Sequence, residues 1–190
     1  AMKIISRVLL GLVSLLLLCV AVAFLAVRGS LPVVDGERSV AGLEGETVIE
    51  RDALGAVTVT GRSRADVAFA TGFVHAQDRF FQMDLSRRMA GGRLSELVGD
   101  AAMDMDAGQR IHRFQDVAER VYAHLAPAEK SVLDAYALGV NAGLDSLRVR
   151  PFEYFLLRQR PEPWRPQDCL LVVYAMYLQL NDAEGSADRQ

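Results

Sequence analysis

The sequence predicts a mostly α-helical chain with a short β-hairpin near its N-terminal end. Two short β-branched runs flank a turn sequence within residues 46–60. From residue 67 to residue 147, hydrophobic residues recur at the three- and four-residue steps of a helix, and a further apolar run follows a proline at residues 168–180. The chain has 190 residues, 51% hydrophobic and 24% charged, which is typical of a folded domain or part of a larger protein.

Charge and cysteine usage exclude several classes of function. The net charge is −3 with acidic and basic residues interspersed, so we expect no nucleic-acid partner. Cys19 and Cys169 are too far apart in sequence and context to predict a disulfide or a zinc motif. The three histidines, His75, His112 and His124, are scattered and form no metal-ligand pattern.

An uncharged apolar run, Val8–Val27, follows Lys3 and Arg7 and is closed by Arg28. A run of this length can span a bilayer as a helix of ~30 Å. The alternative is a secretory signal, with Ala21–Ala23 as the A-x-A-like cleavage site. Either interpretation keeps the basic flank in the cytoplasm and exports the remainder. We expect an uncleaved anchor.

Three regions follow from composition. Residues 1–28 are a membrane anchor or signal segment, residues 29–45 are a Gly- and Pro-containing linker, and residues 46–190 are the folded domain. Within the domain, Glu46–Arg51 and Val57–Thr60 predict a hairpin in which Gly55 takes a positive φ.

The central helix is predicted to begin after Ser63, in a capping-box-like sequence, and to end or kink at Gly91-Gly92. Two apolar stripes leave the helix only a narrow polar edge, so we expect it to be buried around most of its circumference. Asp78 falls in one apolar stripe, where a carboxylate needs a partner. We expect Arg87, Arg88 and Arg93 to form ion pairs with Asp84 and Glu96.

Three more helices are predicted. Gly108–Leu125 reads as one amphipathic helix, and Pro127 is suited to the first turn of the next, which continues to Leu147. The connector 160–166 contains Trp164, whose ring we expect to dock on a helix. The final helix, at 168–180, is apolar on every face. A soluble part of ~160 residues cannot enclose two such helices, so the sequence predicts packing against another polypeptide.

The residues alone reveal no self-contained active site. No serine lies in a G-x-S-x-G sequence. His75 is more easily explained as a structural or interface residue than as a base. Asp100, Asp104 and Asp106 lack calcium-loop spacing and predict a solvated helix start. Glu162 is expected to be structural. Asp182 and Glu184 form an acidic pair that is either solvated or bound to a cation.

The motifs resemble those of the penicillin acylase (penicillin amidase) family. They are R-D-x-x-G-x-V from Arg51, GFVHAQDRFFQMDLSRRMAGGRLSELVG from Gly72, and PEPWRPQD from Pro161. The resemblance implies an α+β N-terminal-nucleophile (Ntn) hydrolase, an αββα heterodimer made when a precursor cleaves itself. This chain would be the α subunit and would contain no catalytic residue. The nucleophile would be the new N-terminal Ser, Cys or Thr of the β subunit, its α-amine serving as base for an acyl-enzyme mechanism.

The resemblance also implies binding residues. Met176, Gln179 and Leu180 would contribute to the acyl pocket; Gln179 stands where some members have arginine, and Leu180 replaces the aromatic residue of penicillin G acylases. That replacement makes a longer aliphatic acyl group as plausible as phenylacetyl. Many members bind structural calcium through a glutamate of the α chain. Alignment without a gap places that position at Ser186, and alignment with a short gap places it at Glu184. We choose Glu184 as the predicted calcium ligand. No organic cofactor is implied.

The implied enzyme hydrolyses a small N-acyl amide in the bacterial periplasm, anchored to the inner membrane or exported by a cleaved signal. Its partner is the β subunit of the same precursor. Asp78, Arg79, Arg87 and Arg88 would then be buried ion-pair hubs in an assembly element. The alternative is a catalytically dead, membrane-tethered helical interaction protein derived from the same scaffold. A third possibility is a single-span anchor with an independent helical bundle.

Overall fold

The computed structural model describes the backbone of residues 2–187 and the side chains of residues 5, 7 and 9–181. Helices dominate, with one two-stranded antiparallel sheet. The elements in chain order are α1 (Met2–Ser30), β1 (Val48–Arg51), β2 (Val57–Thr60), α2 (Arg64–Gly91), α3 (Ser95–Val98), a 3₁₀ turn (Gly99–Ala102), α4 (Met103–Arg110), α5 (Phe114–His124), α6 (Pro127–Asp145), α7 (Glu153–Leu156) and α8 (Pro166–Ala187).

Helix α1 contains the predicted apolar run. Its stretch Leu9–Ser30 has a mean hydropathy of 2.9 and none of it is buried against the rest of the chain. It is long and apolar enough to cross a membrane, a test that an N-terminal signal sequence also passes. The carbonyl oxygen of Gly29 accepts a 3.1 Å hydrogen bond from the amide of Val149, which ties the end of α1 to the helical domain.

The hairpin forms as the sequence predicts. β1 and β2 pair antiparallel in the register Val48↔Thr60 to Arg51↔Val57. Gly55 takes φ 82°, and the Asp52 carboxylate accepts hydrogen bonds from two amides of the turn, those of Leu54 and Ala56. The turn is therefore fixed by one glycine and one aspartate.

Helix α2 has the predicted ends. The Ser63 hydroxyl accepts a 3.0 Å hydrogen bond from the amide of Asp66, and Gly92 closes the helix with φ 64°. Inside the helix, Arg79 leaves helical geometry with φ −153° and ψ 31°. The sequence did not predict this kink, which divides α2 into two segments.

Helices α2 and α6 pack backbone against backbone. A Cβ placed on Gly139 would overlap the carbonyl oxygen of Phe69, and one on Gly143 would overlap that of Phe73. A Cβ placed on Gly72 would likewise overlap the carbonyl oxygen of Tyr136. These glycines allow α2 and α6 to approach closely and form the central layer of the domain.

The prediction of one continuous helix over residues 108–125 is wrong, although most of these residues are helical. The chain instead breaks between α4 and α5, where Arg113 adopts the left-handed conformation with φ 52°. Ile111, which a single amphipathic helix over 108–125 would place on the same face as Ala118, is 80% exposed, whereas Ala118 in α5 is buried. The three-residue break rotates the two halves relative to each other, so a single apolar face does not continue through them.

The core consists of two neighbouring clusters. One joins α2, α6 and α7 to the connector, and the other joins the end of α2 to α5 and α8. Trp164 is 3% exposed and lies in the first cluster, which confirms the predicted docking of its ring. The buried members are Ala76, Phe80, Leu97, Ala137, Val140, Tyr154 and Trp164 in the first cluster, and Ala90, Ala118, Leu171 and Ala175 in the second.

Candidate functional site

A buried charge cluster holds the second half of α2 against the rest of the domain. Asp84 is fully buried and accepts hydrogen bonds from the Nε atoms of Arg87 at 2.8 Å and Arg88 at 3.0 Å. Its other oxygen, Oδ2, accepts a 2.6 Å hydrogen bond from the Tyr154 hydroxyl. Burial and the hydrogen bond to Asp84 raise the pKa of Tyr154, so it stays a phenol that donates.

Arg87 carries this cluster to the start of α8. Its guanidinium donates to the carbonyl oxygens of Glu162 and Pro163, both at 2.9 Å, and to Asp168 Oδ2 at 2.6 Å. The same group lies 4.9 Å from the centroid of the Trp164 ring. Asp168 is 2% exposed, so the two buried carboxylates balance the two buried guanidinium groups of Arg87 and Arg88.

A more exposed set of charges extends the cluster. Arg93 pairs with Glu96 at 2.7 Å and with Glu162 at 3.1 Å, and Arg88 reaches both carboxylates as well. The hydrogen bond from Arg93 lowers the pKa of Glu96. Partial burial opposes ionisation of Glu162, but the charges of Arg88 and Arg93 prevail and lower its pKa. The predicted pairs of Arg87, Arg88 and Arg93 with Asp84 and Glu96 are confirmed.

Asp78 is not the buried hub that the sequence predicted. It forms a bidentate pair with Arg51 of the hairpin, at 2.8 Å and 3.0 Å, in which both side chains remain about a quarter exposed: 28% for Asp78 and 23% for Arg51. Arg79 beside it is exposed. The kink at Arg79 changes the helical phase, so the apolar stripe that contains Asp78 does not continue on one face.

The prediction for Asp106 was also wrong. It was expected in a solvated helix start, yet it is 2% exposed. Its carboxylate accepts hydrogen bonds from the amides of Leu94 at 2.8 Å and Ser95 at 2.7 Å, the free donors at the start of α3. Burial opposes ionisation, but these hydrogen bonds prevail and lower its pKa. Asp100 and Asp104 are exposed, as expected.

His75 has a structural setting. Its Nδ1 atom lies 3.0 Å from the Tyr136 hydroxyl, across the α2–α6 contact. Burial lowers the pKa of His75 and the charge of Arg79 lowers it further, against the smaller opposing effect of Asp78. Nearby, burial raises the pKa of the Cys169 thiol to about 11, which disfavours the thiolate form of this partly buried cysteine.

Helix α8 brings the predicted binding residues to one exposed face. Leu171 and Ala175 are buried against α2 and α5, whereas Met176 is 54% and Leu180 65% exposed. Gln179 is exposed as well. Val173 and Tyr177 extend the same surface, so the second half of α8 presents a large apolar face that the described part of the chain leaves uncovered.

The structure offers no metal centre among the side chains that it describes: no group of three His, Cys, Asp or Glu side chains is arranged to hold an ion. Glu184, the predicted calcium ligand, lies in α8, but its side chain is outside the described residues, as is that of Asp182. The described donors therefore do not make a calcium site by themselves.

The cluster and the apolar face differ in what they can do. Asp84, Arg87 and Arg88 are hydrogen-bonded to protein partners and shielded from solvent, and through Asp168 they hold the start of α8 in place. The sequence missed Tyr154 and Asp168 as members of the cluster; Asp168, in the first turn of α8, could have been anticipated from its place after Pro166. The exposed face of α8, in contrast, is open to a substrate or a partner.

The fold matches a solved structure. A chain of the thermostable penicillin G acylase from Alcaligenes faecalis superposes with a TM-score of 0.65 and 29% sequence identity. The match covers 72% of this chain and 75% of that chain. The fold therefore places the chain in the acylase class, as expected of the helical part of an Ntn hydrolase.

Sequence comparison gives the family. The penicillin amidase family model matches residues 46–190, and the chain belongs to the penicillin amidase family. It is 40% identical over 148 residues to the penicillin acylase 2 proenzyme of Pseudomonas sp. (strain SE83), and 38% identical over 144 residues to the acyl-homoserine lactone acylase QuiP of Pseudomonas aeruginosa. These alignments cover 78% and 75% of this chain.

The chain spans only a small part of these relatives, 19% of the proenzyme and 17% of the lactone acylase. In contrast, it covers three-quarters of the matched chain in the solved penicillin G acylase. The resemblance read from the motifs is confirmed, and so is the mostly helical architecture with one hairpin.

Proposed function

We propose that this chain is the α-subunit part of an autoprocessed amidohydrolase, with the nucleophile on the β chain of the same precursor. The enzyme would cleave the amide of an N-acyl compound through an acyl-enzyme. The observation that carries the proposal is the exposed apolar face of α8, where Met176 and Leu180 lie beyond the two buried residues that fix the helix. A face of this kind requires a partner surface.

The relatives support the reaction class. Some are named penicillin acylases and others acyl-homoserine lactone acylases, and the name of one includes the word proenzyme. The shared chemistry is hydrolysis of an amide between an acyl group and an amine. Penicillin or cephalosporin, acyl-homoserine lactone and lipopeptide amides are therefore the substrate classes to test.

We propose that Met176, Gln179 and Leu180 contact the acyl group. All three are exposed on the face of α8 that a β chain would cover, so the acyl pocket would form between the subunits. Apolar side chains with one amide fit an acyl chain and an orienting hydrogen bond. The part of the pocket near the reacting carbonyl would come from the β chain.

We also propose structural calcium, bound through Glu184 with further ligands from the partner subunit, because the described residues of this chain do not form a site alone. The test is calorimetric titration of the calcium-depleted heterodimer. Calcium binding that Glu184→Gln weakens supports the assignment. Undiminished binding in the variant assigns the ion to other residues.

Export and anchoring belong to the same proposal. Helix α1 would remain in the mature protein and hold the enzyme at the periplasmic face of the inner membrane. N-terminal sequencing of the mature chain tests this. A mature N-terminus after Ala23 would show a cleaved signal instead.

Expression of the full reading frame tests the whole proposal. Two polypeptides and hydrolysis of an N-acyl amide are expected, and replacement of the nucleophile at the processing junction by alanine should abolish both. If the same replacement leaves maturation and phenotype unchanged, the protein is a non-catalytic membrane-tethered interaction protein. A following segment without a Gly-Ser, Gly-Cys or Gly-Thr junction would contradict the enzyme proposal directly.

A further inference from the structure

The end of α1 is attached to one particular part of the domain. The Gly29 carbonyl accepts the hydrogen bond from Val149, and Gly29 lies so close to the Val149 side chain that an added Cβ would lie 2.6 Å from its Cγ2 atom. Residues 147–160, here called the juxtamembrane segment, are therefore held where α1 ends. Phe152 lies only three residues from this contact, within ~10 Å along the chain.

The juxtamembrane segment directs hydrophobic side chains outward. Tyr154 is buried and hydrogen-bonded to Asp84, which fixes α7 to the core. On its other side, Phe152 is 43%, Phe155 40% and Leu156 77% exposed. Internal hydrogen bonds, including Gln159 N to Tyr154 O at 2.9 Å, hold the segment in this conformation. The outward side chains are thus presented by an ordered element.

The same segment is strongly basic. It contains four arginines, at positions 148, 150, 158 and 160, and one acidic residue, Glu153. Three of the arginines are exposed, and the Arg150 guanidinium lies 4.2 Å from the centroid of the Phe155 ring. Hydrophobic and aromatic side chains beside arginines are the composition of a surface that binds at the interface of an anionic bilayer.

We propose that the juxtamembrane segment is a membrane-surface contact. Phe152, Phe155 and Leu156 enter the headgroup region of the bilayer that α1 spans, and the arginines pair with anionic lipid phosphates. The inference rests on the retained anchor proposed above. Leu31, Val33 and Val34, which follow α1 and are also exposed, lie at the same boundary.

This contact would fix the orientation of the domain on the membrane. A single helix followed by a flexible linker leaves a domain free to rotate. Here α1 is bonded to the domain at its own end, so the helix and the segment give two points of attachment. A partner subunit is the competing occupant of this surface, and the experiment must distinguish protein from lipid.

A lipid-quenching measurement makes that distinction. The product of the full reading frame, with Cys19→Ser as background, receives Leu156→Cys and is labelled with the fluorophore NBD. Leu54→Cys is the matched control, because Leu54 is the same residue type and is 94% exposed on the hairpin turn. The background protein without an added cysteine measures residual labelling at Cys169. Both variants are reconstituted in phosphatidylcholine–phosphatidylglycerol vesicles with and without doxyl-labelled lipid.

The proposal expects doxyl-lipid to quench the probe at position 156 and leave the probe at position 54 bright. Quenching should weaken in vesicles of phosphatidylcholine alone and when Arg148→Gln and Arg158→Gln are combined. Equal, low quenching at both positions overturns the proposal. So does a blue-shifted probe at 156 that lipid does not quench, since the partner subunit then covers the surface. Alkaline carbonate washing tests the anchor separately: release of the protein from vesicles shows that α1 is not retained.

Discussion

The hydroxyl of Tyr154 and the carboxylate of Asp84 are joined by a 2.6 Å hydrogen bond across 70 residues of chain. Asp84 also accepts hydrogen bonds from Arg87 and Arg88, and all four side chains are at most 5% exposed. The bond joins α7 to the one carboxylate that holds both arginines. The position of α8 depends on this cluster, because Arg87 continues to Asp168.

Asp84→Ala should destabilise the protein far more than Asp78→Ala. Removing Asp84 leaves two buried guanidinium groups without the carboxylate that they share, a loss of ~3–5 kcal/mol. Asp78 belongs to a partly exposed pair with Arg51, worth at most ~1 kcal/mol. Urea unfolding of the two variants, purified as products of the full reading frame, measures the difference. Equal losses would show that the Asp84 cluster is not the main electrostatic determinant of α2.

Gly139→Ala should destabilise the protein, whereas Gly108→Ala should not. A methyl group at 139 meets the carbonyl of Phe69, which belongs to a helix and cannot move without shifting the α2–α6 contact. Overpacking of this kind costs ~1–3 kcal/mol. Nothing lies within 4 Å of a Cβ at Gly108 in α4, so alanine there should add ~0.5–1 kcal/mol through helix propensity. The midpoints of thermal unfolding should move in opposite directions.

Stability should depend on pH through His75. Its pKa is lowered in the folded state, chiefly by burial, so the folded protein prefers the neutral ring. The free energy of unfolding is therefore highest above the unfolded-state pKa of ~6.5 and falls as the pH drops through that value toward the folded-state pKa.

The variant His75→Gln should flatten this dependence below about pH 6.5, because glutamine removes the ring that burial keeps neutral. Urea unfolding of the variant and of the unaltered protein as a function of pH measures the difference. An unchanged slope in His75→Gln would assign the titration to other groups.

Leu180→Phe should change acyl-group preference if α8 contributes to the acyl pocket. The larger side chain shortens the space available to a long aliphatic chain and offers a ring to a phenylacetyl group. A hydrophobic-pocket change of this size alters the ratio of kcat/KM values about 10-fold or more. Leu138→Phe, on the exposed face of α6, is the control. A ratio that moves equally in both variants would place the pocket elsewhere.

Local signals in the sequence predict much of this fold. Gly55, Ser63 and Gly92 each mark a boundary through a backbone requirement that neighbouring residues set, and each is found where the sequence places it. The final helix likewise begins at Pro166, as its proline predicts. Such features need no knowledge of distant residues.

The errors arise where distant residues or unusual backbone decide. The sequence predicted the local partners of Asp84, Arg87 and Arg88, but its third partner, Tyr154, lies 70 residues away, and no local signal predicts that contact. Arg113 adopts a left-handed conformation, which could have been predicted from the sequence only if the residue were a glycine or an asparagine. Asp106 is buried because it accepts from amides 11 and 12 residues earlier, a contact that helical periodicity does not describe.

The departure from helical geometry at Arg79 makes α2 sensitive to its length. In the first segment of the helix, Gly72 packs against the backbone of α6. In the second segment, Asp84 is positioned to bind its arginine and tyrosine partners. An inserted or deleted residue between these two contacts would rotate one relative to the other by ~100° about the helix axis. The contact of Gly72 with α6 and the contacts of Asp84 could then not form in the same structure. Helix α2 should therefore accept many substitutions on its exposed edge but no single-residue insertion or deletion between Gly72 and Asp84.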